Sequence, residues 1–256
     1  MVAKIVTIAK FTIIESMRNR LLWLSLLVAA VSFGLTEFIG DLAITEQRAT
    51  QVAVLAAFLR VSAVVVVALF VVSSTLRELQ DKTLAMILAM PIPRSSYYLG
   101  KLIGFFLISL FIAVIFSSLL LLYAPFDQVL IWCISLFFEL VLIIAFGLVM
   151  LFSFRQIPAA LTGVFIFYVA SRSIASIYLM SKYPIVPHAT VSQKFLDGFI
   201  AALSWLLPDL SRFTQTEWLA YNSAKLDMLL PLMGQSMIYL TLLSAIALFD
   251  FYRKNI

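Results

Sequence analysis

Ionisable side chains are scarce in this sequence, so their positions carry information. Three fall well inside long apolar runs, away from the ends: Arg60, Glu139 and Arg172. A charge at such a place is costly and faces a partner or a wet cavity. Arg60 lies close enough to one end of its run to snorkel outwards, a reading that weighs about the same as a pathway role. Glu139 sits near the middle of its run and Arg172 past the middle of the next. A Glu139–Arg172 ion pair would satisfy both, and is favoured over a pathway role. A second group lies in the connection LRELQDKTLAMILAMPIPRSSYYLGK, Leu76 to Lys101: Arg77, Glu78, Asp81 and Lys82, then Arg94. A third belongs to the segment 182–228 and comprises Lys194, Asp197, Asp209 and Arg212.

Covalent and metal chemistry find little support. His188 is the one histidine, in a Pro-rich stretch, and Cys133 the one cysteine, inside an apolar run. HExxH, GxSxG, paired Asp and CxxC patterns are all missing. Cys133 reads as a small buried hydrophobe, and one histidine does not make a metal site. Met228, Met233 and Met237 cluster, and thioethers bind soft cations such as Cu(I). Gap-filling is the favoured reading of these methionines, and no metal is expected.

The elements that must hold these residues are set by the solvent. Of 256 residues, 63% are hydrophobic and 12% charged, against about 25% charged in soluble proteins. One soluble core could not hide that much apolar surface, and lipid is the simplest solvent for it. Six apolar runs stand out: 21–40, 52–75, 101–124, 129–152, 158–181 and 229–249. Each is long enough to cross a hydrocarbon layer of roughly 30 Å as a helix. In lipid such a run must be helical, and the alternation of barrel strands is missing. The fold expected is therefore all-α, with six transmembrane helices in a single domain over 1–256. The net charge of +5 is no nucleic-acid signal, because the basic residues flank apolar runs.

Residues 1–20 are interrupted by Lys4, Lys10, Glu15, Arg18 and Arg20, so no cleavable signal is expected. Val2, Ile5, Val6, Ala9, Ile13 and Met17 share one helical face, which predicts an amphipathic helix in the membrane interface. A cytoplasmic N-terminus puts eleven flanking Lys and Arg inside and five outside. The connection 76–100 is then cytoplasmic and 182–228 external. Residues 191–207 form another amphipathic helix on the external side, too charged to be a seventh span.

In the 76–100 connection, Leu76, Leu79, Thr83, Met86, Ile87 and Met90 line one helical face, with charges opposite. Leu84 and Leu88 add an apolar shoulder, and Pro91 and Pro93 stop the helix. Such a helix suits a partner's groove. Tied to two spans, it is also a lever.

This stretch resembles the coupling helix of ABC export permeases of the type V class, the ABC-two-type membrane family. The matching residues are Glu78, Asp81, Thr83, Leu84, Leu88, Pro91, Arg94, Leu99, Gly100 and Lys101. Lys82 departs from the pattern, standing where a Gly is expected. The N-terminal helix is similar to that family's elbow helix, and six spans with a long external connection before the last also fit.

The resemblance implies a permease subunit of an ATP-binding cassette exporter. Arg77, Glu78, Asp81, Lys82, Leu84, Leu88 and Arg94 would meet the ATPase. Lys194, Asp197, Asp209 and Arg212 would form an external gate or partner surface. Two copies of a separate ATPase and a second permease chain are the implied partners, with an accessory protein outside as a further option. No GxxxxGK[ST] is present, so no cofactor is expected in this chain, and ATP and Mg would sit in the ATPase. The expected location is a bacterial inner membrane with both termini cytoplasmic. A secondary transporter or channel would need Gly- or Pro-broken spans in matching halves, which are not found. A scaffold of an envelope complex is the remaining alternative.

Overall fold

The computed structural model describes residues 2–18, 21–42, 46–80, 93–183 and 191–253. They form helices α1 (Val2–Arg18), α2 (Leu21–Leu42), α3 (Gln47–Gln80), α4 (Arg94–Leu120), α5 (Phe126–Phe154) and α6 (Ile157–Lys182). Then come α7 (Val191–Leu206), a 3-10 turn (Leu210–Arg212), α8 (Thr216–Tyr221), a second 3-10 turn (Leu226–Met228) and α9 (Leu229–Arg253). The described residues contain no strand. Among the described residues, six helices are long and apolar enough to cross a membrane: α2, α3, α4, α5, α6 and α9.

Two boundaries differ from the sequence expectation. With 34 residues, α3 is roughly 50 Å long and continues through Leu76–Gln80, which the sequence assigned to the connection. In turn, α4 begins at Arg94, two turns before the expected start at Lys101. Pro93 is its N-cap, where the missing N–H leaves no helical bond unmade. Asp81, Lys82, Leu84 and Leu88, and with them the expected helix of the connection, lie outside the described residues, which resume at Pro93.

At the centre is α5, packed against α3, α4, α6 and α9. Its sequence explains this place. Leu140 and Leu142 to Ala145 are buried around the whole circumference, as expected of a helix apolar on every side. Its C-terminus closes at Arg155 in the left-handed conformation (φ 53°), whose N–H reaches the Leu151 carbonyl at 2.9 Å. The turn Arg155–Gln156 then leads into α6, making α5 and α6 antiparallel neighbours.

Helix α1 does not lie free in the interface. It runs along the first half of α4 in the same direction, Ile8 against Gly100 and Thr12 against Gly104. Farther along, Ile13, Ser16 and Met17 face Leu107, Ile108 and Phe111. A Cβ at Gly100 would stand 2.7 Å from Ile8 Cβ, and one at Gly104 2.7 Å from Thr12 Cβ. This is small-residue packing of the kind membrane helices use for close approach. The buried face of α1 is thus centred on Ala9, Thr12 and Ser16, while Val6 and Met17, placed on the apolar face by periodicity, are exposed.

Polar contacts define the two ends of the bundle. At one end Tyr98 of α4 donates to Ser244 of α9 at 3.0 Å, and Ser153 of α5 donates to Asp250 at 2.5 Å. At the other, Tyr123 donates to Glu37, and Arg48 donates to the Tyr123 carbonyl at 2.9 Å. Gln128 fastens Ala224 there, accepting from its N–H at 2.9 Å.

Candidate functional site: one polar node in the bundle and two at its end

The first node lies within the spans. Glu139, on α5, is fully buried. Its Oε1 is 3.2 Å from Arg172 Nη1 of α6, so the two intramembrane charges neutralise each other. Its Oε2 accepts from Thr214 Oγ1 at 2.6 Å. Arg172 also donates to the carbonyls of Leu210 (2.9 Å) and Phe213 (3.2 Å). Arg60, from α3, does not snorkel: Nη1 donates inward to the Thr214 carbonyl at 3.0 Å. Ser135, one turn before Glu139, accepts from the Thr214 N–H at 3.0 Å.

Three of these bonds, from Arg60, Ser135 and Glu139, converge on Thr214, which is buried at φ 45°. A β-branched residue is unfavourable there and persists only when its surroundings over-determine it. Here the N–H, the carbonyl and the hydroxyl are each held by a different side chain. The node therefore pins the turn after α7 into the bundle, with Leu210 and Phe213 buried beside it. Sequence reasoning named the charges and the turn but missed Thr214 and Ser135. Ser135 carried one usable signal, its place one helical turn from Glu139.

The second node is at the end where α3 stops and α4 starts. Lys101 is buried, with Nζ 2.6 Å from Glu78 Oε1 and 3.4 Å from Glu15 Oε2. The other Glu78 oxygen accepts from Tyr97 at 2.5 Å, and the other Glu15 oxygen from Ser74 at 2.8 Å. Three helices, α1, α3 and α4, are thereby knotted together. Glu78, expected to face a partner protein, is committed inside the chain. Its carboxylate lies beside a buried cation, and burial of an unmatched Lys would be far more costly than the pair.

The third node is Arg94. Its Nη1 donates to the carbonyls of Phe251 (2.8 Å) and Tyr252 (3.2 Å), and the guanidinium lies 5.7 Å from the Phe251 ring centre. It thus closes the C-terminus of α9, where unpaired carbonyls and the helix dipole favour a cation. Arg77, in the last turn of α3, is exposed and lines a groove beside α1.

The residues expected on the external side are not brought together into one site among the described residues. Asp209 Oδ1 caps the 3-10 turn by accepting from Ser211 N at 3.1 Å, and Oδ2 pairs with Arg212 at 2.9 Å. With Arg212 mostly exposed, that pair is worth little. Asp197 accepts from Ser181 and so turns the polar side of α7 towards α6. Phe195, Phe199, Trp205 and Leu206 are left facing outward. Lys194 belongs to α7, and its side chain lies outside the described residues.

The comparisons with known proteins agree with this architecture. The sequence model of the ABC-2 family transporter protein matches residues 15–249, nearly the whole chain and all six long helices. A search of the curated proteins finds no match. The chain is a multi-pass membrane protein, and it belongs to the ABC-2 family of transporter proteins.

Proposed function

We propose that this chain is the permease subunit of an ATP-driven exporter, worked by a separate ATPase that grips residues 81–92. The observation that carries this reading is the pair of anchors around that segment. On one side Glu78 is knotted to Lys101, Tyr97 and, through Lys101, to Glu15. On the other, Arg94 is bound to the end of α9. A push on 81–92 thus reaches α1, α3, α4 and α9 together, which is what a lever at the base of a transporter needs.

In this reading Asp81, Lys82, Leu84 and Leu88 form the face towards the ATPase, while Glu78 and Arg94 carry the motion inward. Two permease chains and two ATPase subunits make the working unit. The site of action is a bacterial inner membrane, with both termini and 81–92 cytoplasmic and 183–228 external. The Glu139–Arg172–Thr214 node holds the external turn as a gate element, and Asp197, Asp209, Arg212 and Lys194 border it. ATP and Mg belong to the ATPase alone.

The test is a pull-down of the co-expressed ATPase. Leu84→Ala with Leu88→Ala should lose the ATPase while the permease stays inserted, because truncating packed anchors commonly costs 2 kcal/mol or more. Full retention of ATPase and transport would refute the lever. For sidedness, on a Cys133→Ala background, Gln156→Cys and Ser223→Cys should label from opposite faces with an impermeant reagent. Labelling from the same face would overturn the topology.

A further inference from the structure

Between the outward side of α1 and the last turns of α3 lies an open groove of about 420 Å³, lined by Phe11, Ile14, Glu15, Arg18 and Arg77. Of its lining, only Glu15 belongs to the knot at the base of the lever. Its chemistry is specific. Of its charges, Glu15 is matched by Lys101 and Ser74. Arg18 and Arg77 make no ion pair among the described residues. Summed with Glu78, the cluster holds three cations (Lys101, Arg18, Arg77) and two carboxylates (Glu15, Glu78), an excess of one positive charge. The two arginines come from different helices and line one cleft, and guanidinium groups so shared suit the oxygens of a phosphodiester.

The rest of the wall says what the phosphate is attached to. Phe11 is 69% exposed and Ile14 41%, on the same side of α1 as the cleft, with Met17 also uncovered. Such apolar side chains beside two arginines match an amphiphile better than a soluble anion. The position also fits. Arg77 closes α3, Arg94 opens α4 and Arg253 closes α9, so this end of the bundle meets the headgroup layer.

We infer that the groove between α1 and α3 binds one anionic phospholipid of the leaflet on the N-terminal side, its phosphate between Arg18 and Arg77 and an acyl chain along Phe11 and Ile14. Because Glu15 links the groove to Lys101 and Glu78, an occupied groove braces the knot at the base of the lever.

The test is native mass spectrometry of the purified full chain in detergent, titrated with short-chain phosphatidylglycerol or phosphatidylcholine. The parent should bind phosphatidylglycerol in preference. Arg18→Gln or Arg77→Gln should weaken that binding roughly fivefold each, and the double variant about 30-fold, while binding of phosphatidylcholine, whose choline cation offsets the phosphate, falls less and the preference is lost. Both arginines are exposed, so the fold should survive. Arg18→Lys with Arg77→Lys, which keeps the charges, should restore preference. Parent-like phosphatidylglycerol binding by the double Gln variant would overturn the inference. So would equal competition by free glycerol 3-phosphate, which would mark a soluble-anion site. Loss of ATPase pull-down with lipid binding intact would mark a protein contact instead and overturn it too.

Discussion

Glu139→Gln is the most informative single perturbation, because it removes one charge and almost no volume. Removing one partner from a buried ion pair typically costs 3–5 kcal/mol, since the other charge is left without compensation. Two features of this site lower that figure. Arg172 keeps its bonds to the Leu210 and Phe213 carbonyls. The glutamine oxygen can still accept from Arg172 or Thr214, but not as a carboxylate does for both. About 2–3 kcal/mol of destabilisation is therefore expected. In detergent this should lower the unfolding midpoint by roughly 5 °C or more. The loss should be local first. Amide exchange at 208–215 should rise before that of α5, because Thr214 at φ 45° is held there only by the node. A double-mutant cycle with Arg172→Met should be strongly non-additive, the double variant losing less than the sum. Additive effects, or parent-like exchange at 208–215, would refute the claim that the ion pair holds the turn.

Three further outcomes follow from the geometry. Gly104→Val should displace α1 from α4, since even a Cβ would stand 2.7 Å from Thr12; a cost of roughly 1–3 kcal/mol and faster proteolysis of α1 should be seen. Lys101→Met strands two carboxylates and should destabilise the chain by about 3 kcal/mol, and adding Glu78→Gln should recover part of that in thermal melts. Arg94→Ala should open the end of α9 at a cost of about 1–2 kcal/mol, visible as faster amide exchange over 249–253, while the Ser153–Asp250 bond remains.

Much of the architecture was legible in the sequence because the bilayer acts on each segment separately. A run such as 129–152 has to be helical in lipid whatever its neighbours are, and α5 covers it. Intramembrane charges were legible for a related reason: the cost of burying Glu139 demands a cation, and Arg172 was the nearest one at a compatible depth. Helix ends were less so. Pro93 reads equally well as the stop of one helix or the start of the next, and only the bonds made by α4 decide between them.

What tertiary structure alone decided is which partner each polar group takes. Glu78 and Arg94 carry charge patterns that fit an exposed, partner-facing surface, yet both are spent inside the chain, on Lys101 and on the end of α9. Thr214 has no local signature at all, because its role comes from groups on α3, α5 and α6 that converge from 42 to 154 residues away. The seat of α1 likewise depends on Gly100 and Gly104, glycines whose meaning appears only once a second helix lies across them. Hydropathy is a property of the residue and its solvent, and so it can be read along the chain. A hydrogen bond is a property of two groups in space, and their meeting is settled by packing.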